Sequence, residues 1–115
     1  MAAMRIAETG AGGALSLIAD YRSPLAHLCR DYRVQRLELF GSAVHGAFDP
    51  QHSDLDFLVE FEPMPAGDYA TLFFGFKEAL ETLFGLPVDL VVPSAIHNPY
   101  FRQSIERSKA LLYAA

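Results

Sequence analysis

The chain has 115 residues, 51% of them apolar, and its 9 basic and 14 acidic side chains leave a net charge of −5. That length suits one domain, and nine phenylalanines and five tyrosines predict a well-filled core rather than a disordered chain. An acidic chain with scattered basic residues is a poor nucleic-acid binder, because neutralising phosphates supplies most of that affinity. The single cysteine, Cys29, excludes an internal disulfide and a cysteine-rich zinc site.

The N-terminal stretch over residues 1–13 is small and glycine-rich, and we expect it to be flexible. Residues 14–115 are predicted to form a single domain. No apolar run approaches the ~18 residues that a membrane-spanning helix needs. The N-terminus also lacks the pattern of a secretory signal. We therefore expect a cytoplasmic protein with no membrane partner.

In the first half of the chain, predicted helices and strands alternate: a helix over 24–31, a strand over 34–40, a short helix over 42–48 and a strand over 54–61. Ser23-Pro24 is typical of a helix start, since serine caps the first turn and proline tolerates its first position. The second strand is apolar almost throughout, which indicates that both of its faces are covered.

The second half is predicted to hold a helix from about Asp68 to Gly85, a strand over 88–92 and a last helix that starts at Asn98-Pro99. The side chains expected to face the core are Leu72, Phe73, Phe76, Leu80 and Leu83 on the former helix, and Phe101, Ile105 and Leu112 on the latter. Phe74 departs from its stripe and is a candidate for a contact between subunits, so a homo-oligomer remains open.

Two short motifs flank the junction between the first two predicted strands. Asp54 and Asp56 project from one face of a strand, where like charges repel each other unless a cation lies between them. The sequence has no lysine or arginine from residue 37 to residue 76, and Mg²⁺ suits such a carboxylate pair. Gly41-Ser42, at the end of the first strand, is suited to hold phosphate through backbone N–H groups and a hydroxyl.

Each motif also has a plain structural interpretation: Gly-Ser is commonly only a turn, and Asp-x-Asp only a solvated loop end. Together, and bracketed by apolar strands, they are the minimum apparatus for binding a nucleotide triphosphate. For Gly41 to meet Asp54 and Asp56, the first two strands must run antiparallel. A helical crossover then makes the second and third strands parallel. The predicted fold class is α/β (α+β), ordered α-β-α-β-α-β-α, with helices packed on a small mixed sheet.

The segments FGSAVHG and SDLDFLVEF resemble the signature of minimal nucleotidyltransferases in the DNA polymerase β-type nucleotidyltransferase superfamily. The resemblance implies a polymerase β-like core, a third carboxylate at Asp89, and nucleotide contacts from Gly41, Ser42 and Ser53. Many relatives carry arginine where this chain has His45. Members of that branch are commonly encoded beside a HEPN-domain partner as a toxin–antitoxin pair.

The resemblance further implies that Asp54, Asp56 and Asp89 bind two Mg²⁺ ions and that ATP is the substrate. The expected reaction is transfer of AMP to a tyrosine of the HEPN toxin. Because only one helix is predicted after Val92, a partner is expected to bring the acceptor. Two alternatives stay open: an antitoxin that acts by binding alone, and an aminoglycoside-type adenylyltransferase. The three aspartates disfavour the former, and the lack of a predicted acceptor domain disfavours the latter.

Overall fold

The computed structural model describes residues 18–41, 44 and 54–115. Residues 18–20 are helical and lead into the first complete helix. The helices are α1 (Arg22–Asp31), α2 (Ala66–Phe84) and α3 (Pro99–Ser108), with a 3₁₀ turn at Pro93–Ala95. The strands are β1 (Val34–Phe40), β2 (Leu55–Phe61), β3 (Val88–Val91) and β4 (Ala110–Ala114). The flexible segment predicted over 1–13 lies outside the described residues, and so does the short helix predicted over 42–48 apart from Val44.

The four strands form one sheet in the order β3-β2-β1-β4. β1 runs antiparallel to β2, and β2 runs parallel to β3, which confirms the predicted mixed sheet. The fourth strand was not predicted: β4 pairs antiparallel with β1 at the sheet edge. The expectation that Leu112 continues the last helix is therefore wrong, because α3 ends at Ser108 and Lys109 is extended. Leu112 is still buried, but on β4.

Several element boundaries differ from those predicted by one to three residues. α1 begins at Arg22 and not after Ser23. α2 begins at Ala66 after Pro65, so Asp68 is not its cap and instead lies in the first turn, where its charge favours the helix dipole. β2 begins at Leu55, which leaves Asp54 just outside the strand.

Two predicted helix ends are confirmed. Gly85 ends α2 in the left-handed conformation at φ 67°, which glycine adopts without a steric penalty. The Asn98 side chain caps α3 by accepting hydrogen bonds from the backbone N–H groups of Tyr100 and Phe101, at 2.8 Å and 3.3 Å. These caps fix where α2 stops and where α3 starts.

Helices cover the sheet on both faces. Alternate residues of β2, such as Leu55 and Phe57, belong to the larger core cluster, together with side chains of α1 and α2. The residues between them face the other way, where Leu58 packs in a smaller cluster with Phe40, Ile96 and Ile105. Asp56 shares the face of Leu58. The candidate carboxylates therefore lie on the α3 side of the sheet.

Cys29 is fully buried in the larger cluster, as predicted, and burial raises the pKa of its thiol to about 12. It is therefore a packing residue and not a nucleophile. Among helices of the described ranges, none combines the length and apolar character needed to cross a membrane.

Candidate active site

The chain leaves β1 at Gly41, whose backbone lies against the Asp56 carboxylate. Gly41 has φ +80°, a conformation that side-chain-bearing residues rarely adopt. A Cβ at this position would overlap Asp56 Oδ2 and lie 3.4 Å from Asp56 Cγ. Backbone conformation and close approach therefore both require glycine. The turn continues with the Val44 N–H donating to the Gly41 carbonyl oxygen at 3.1 Å.

Asp56 and Asp89 are neighbours across two parallel strands. They are register partners on β2 and β3, so their side chains project from the same face of the sheet. Asp54 immediately precedes β2 and is exposed, as is Asp89, whereas Asp56 is half-buried. All three sequence-predicted carboxylates thus lie at the same end of the sheet.

The electrostatics of Asp56 reflect this grouping. Burial, followed by the charges of Asp89 and Asp54, raises the pKa of Asp56 to about 6 from its ordinary 3.8. Each cause disfavours the ionised carboxylate, and an adjacent cation would act in the opposite direction. Among the residues that the structure describes, the interactions that shift this pKa leave the negative charge of the site uncompensated.

The donor set fits a divalent cation that brings some of its own ligands. Within residues 18–41, 44 and 54–115, no group of three or more histidine, cysteine, aspartate or glutamate side chains could hold a metal ion as placed. Mg²⁺, however, usually binds through one or two carboxylates and keeps water and phosphate oxygens as its other ligands. The adjacent Asp56 and Asp89 match that requirement without a closed protein cage.

Of the residues predicted to contact the nucleotide, only Gly41 is described. Ser42 and Ser53 lie outside the described residues, and so does His45. The position of Gly41 beside Asp56 agrees with the predicted meeting of the glycine turn and the aspartates.

An aromatic side of this site was missed by the sequence prediction. Phe40 is the register partner of Asp56 on β1, opposite Asp89 on β3. The ring of Phe101, on α3, packs edge-on against Phe40 with a centroid distance of 6.0 Å. Phe101 was expected to be buried, but 43% of it is exposed. Helical spacing places Phe101 on the inward face of α3, yet it cannot show that this end of the helix lies at the margin of the small core.

A family model for the nucleotidyltransferase domain matches residues 25–112 of this chain. Over 75 residues, which are 65% of this chain and 72% of the relative, the sequence is 43% identical to a proposed protein adenylyltransferase of Methanocaldococcus jannaschii. The range that the family model matches includes Gly41, Asp54, Asp56 and Asp89, so the match covers the candidate site.

Solved structures share the fold. A proposed minimal nucleotidyltransferase superposes with a TM-score of 0.60 at 33% identity, covering 80% of this chain and 89% of that one. A tri-AMPylated Shewanella oneidensis HEPN toxin in complex with an MNT antitoxin gives a TM-score of 0.55 at 20% identity, covering 82% of this chain and 70% of that one. At that lower identity the likeness concerns the fold alone.

Proposed function

This chain belongs to the nucleotidyltransferase domain family and is a nucleotidyltransferase, and we propose that it transfers AMP from ATP to a tyrosine of a HEPN toxin. In this role it acts as an antitoxin, and the ion that its site takes is Mg²⁺. The observation that carries the proposal is the position of Asp56, between the Gly41 turn and Asp89, where burial and then the charges of Asp89 and Asp54 disfavour its ionised form.

Asp54 and Asp56 would hold Mg²⁺ on the nucleotide side, and Asp89 would complete the acceptor side. When bound there, two Mg²⁺ ions stabilise the attacking and leaving oxygens of an in-line displacement. The carboxylates supply charge and orientation, so no covalent intermediate on the protein is needed. The buried, high-pKa thiol of Cys29 is consistent with that.

The reaction forms one bond and breaks one bond at the α-phosphorus of ATP. The tyrosine hydroxyl oxygen attacks that phosphorus, and the bond to the oxygen bridging the α- and β-phosphates breaks. Pyrophosphate leaves toward the turn at Gly41 and Ser42, with Ser53 as a further contact, where backbone N–H groups suit an anion. The hydroxyl proton passes to Asp89, which is exposed and can release it to solvent.

The acceptor is inferred from the relatives and from charge. A relative at 43% identity is a proposed protein adenylyltransferase, and a neighbour in fold is bound to an AMPylated HEPN toxin. The net charge of −5 weighs against a nucleic-acid acceptor, because binding nucleic acid depends on basic side chains that neutralise its phosphates. A protein hydroxyl is therefore the acceptor that we favour.

The test is to incubate the full chain with ATP, Mg²⁺ and a HEPN-domain protein from the same genome, and to measure the intact mass of that protein. We expect it to gain the mass of one or more AMP groups. A stable complex without a mass change would replace the proposal with neutralisation by binding alone. Neither complex nor mass change, together with adenylylation of a small hydroxylated compound, would move the activity to the small-molecule class.

A further inference from the structure

We propose that the exposed ring of Phe101 is the surface on which the adenine base of ATP stacks. The inference rests on the proposed function, because it assigns a binding residue for the same nucleotide. This assignment gives α3 a role in binding, whereas the residues assigned to the phosphates and the cation lie on other elements.

The position of Phe101 follows from two contacts. Phe40 lies beside Asp56 across the β1–β2 pair, on the face of the sheet that α3 covers. Phe101 packs against Phe40 at a centroid distance of 6.0 Å and an interplanar angle of 73°. One aromatic ring therefore separates Phe101 from the strand position that carries the half-buried carboxylate.

The surrounding contacts hold α3 in place. The Asn98 side chain caps the first turn and accepts from the Phe101 N–H at 3.3 Å. The Arg102 Nη2 donates to the Ile96 carbonyl oxygen at 2.6 Å, which ties the helix to the segment that follows β3. One turn after Phe101, Ile105 is buried at 2% exposure. An aromatic ring on such a fixed support loses little conformational freedom when a ligand binds.

Adenine is the part of ATP to which the roles assigned so far give no partner among the described residues. The glycine turn and the carboxylates address the triphosphate and its cation. The base is a flat, largely apolar ring, and stacking on an aromatic side chain stabilises it whatever its hydrogen-bonding edge. Because 43% of Phe101 remains exposed, a ligand can still cover part of it. The ring of an acceptor tyrosine is also flat and could stack on Phe101, and the experiment distinguishes adenine from this tyrosine.

The test compares two probes on the full chain in the presence of Mg²⁺: α,β-methylene ATP, which cannot donate AMP, and inorganic tripolyphosphate, which has no base. We expect Phe101→Ala to weaken α,β-methylene ATP binding about tenfold and to leave tripolyphosphate binding unchanged. Phe101→Trp should retain the affinity of the wild type. Phe74→Ala is the matched control, since Phe74 is 64% exposed but lies on α2, across the sheet.

Equal affinity of wild type and Phe101→Ala for α,β-methylene ATP would overturn the inference. If that variant also transferred AMP more slowly, the ring would instead be assigned to binding of the acceptor. Equal weakening of both probes would also overturn it, because the effect would then not depend on the base. If the wild type bound neither probe, the proposed function itself would fail along with the inference. Urea unfolding of each variant measures whether the chain is still folded.

Discussion

The carboxylate of Asp56 lies so close to the backbone of Gly41 that a methyl group at position 41 would overlap its Oδ2 atom. This contact joins the end of β1 to the second residue of β2. It brings a glycine turn that suits phosphate next to a carboxylate that suits a cation. Both halves of the candidate site therefore depend on one close approach.

Gly41→Ala is expected to destabilise the fold and to displace the Asp56 side chain. The substitution meets an unfavourable φ of +80° and an overlap with Asp56, so we expect a loss of about 2 kcal/mol in the free energy of unfolding. Urea unfolding measures that loss, and α,β-methylene ATP binding reports on the site. If Gly41→Ala were as stable as the wild type and bound α,β-methylene ATP with the same affinity, the close contact between Gly41 and Asp56 would be contradicted.

Two other glycines provide controls for that substitution. Gly85→Ala introduces strain only, because Gly85 has φ +67° but nothing lies within 4 Å of its added Cβ, and it should cost about 1 kcal/mol. Gly67→Ala in the first turn of α2 meets open space without that φ, and it should be neutral or stabilising by about 0.5 kcal/mol. From most to least stable, the expected order is therefore Gly67→Ala, Gly85→Ala and Gly41→Ala.

Asp56→Asn is expected to stabilise the metal-free protein at pH 7. The folded pKa of Asp56, about 6, lies above the ordinary 3.8, so folding favours the protonated form. That contribution to stability is fully present below pH 3.8 and is lost as the pH rises through 6. With screening by solvent at a half-exposed group, we expect a gain of about 1 kcal/mol at pH 7.

Urea unfolding of wild type and Asp56→Asn at pH 7 and at pH 4 measures this difference, which should shrink at the lower pH. Asp68→Asn is the control, because Asp68 lies in the first turn of α2 and its charge favours that helix. This control should be slightly less stable than wild type at pH 7. If Asp56→Asn were less stable than the wild type at pH 7, the inference that the charge of Asp56 is uncompensated would be wrong.

Cation binding should reverse the shift at Asp56. In the metal-free protein, an NMR titration of the side-chain carboxyl carbon should give a pKa near 6. Saturating Mg²⁺ with α,β-methylene ATP should lower that pKa, because a nearby cation favours the ionised carboxylate. An unchanged pKa at saturation would place the ion elsewhere.

A buried glutamate on β1 forms an ion pair with Lys109, the residue just before the unpredicted strand β4. Glu38 on β1 is only 4% exposed, and its Oε2 lies 3.2 Å from Arg36 Nη2 and 3.3 Å from Lys109 Nζ. Glu38→Gln is expected to cost about 2 kcal/mol in the free energy of unfolding, because it weakens two charge-assisted contacts in a buried position. Chemical denaturation measures this cost.

The control for that substitution is Glu62→Gln, which removes the exposed pair between Arg33 and Glu62 at 3.7 Å. An exposed pair contributes little, so the control should change stability by less than about 0.5 kcal/mol. Equal effects of the two substitutions would show that burial of Glu38 does not strengthen its ion pairs.

The sequence was sufficient to predict the part of the fold that local pattern and the site itself determine. Because Gly41 must meet the aspartates, β1 and β2 were predicted to be antiparallel and β2 and β3 parallel, and both predictions are confirmed. Asn98 and Gly85 marked helix ends because their caps depend on residues close in sequence. These features need no knowledge of what packs against them.

The rest depended on contacts between residues distant in the sequence. β4 has only five residues, and its partner is β1, so a short apolar stretch after α3 resembled more helix. The partial exposure of Phe101 follows from where α3 begins over the sheet, which helical spacing does not encode. For the same reason, the aromatic neighbour of the carboxylates could be identified only from the structure.

If the carboxylates on β2 and β3 bind the cations for AMP transfer, the initial rate of tyrosine labelling must depend on them, and this rate is the decisive measurement. Wild type, Asp56→Asn and Asp68→Asn would be compared with ATP, Mg²⁺ and the HEPN protein, with the modified residue located by tandem mass spectrometry. We expect Asp68→Asn to match the wild type and Asp56→Asn to be slower by at least about 100-fold, because cation-based charge stabilisation contributes several kcal/mol. Tyrosine labelling by Asp56→Asn at the wild-type rate would contradict the claim.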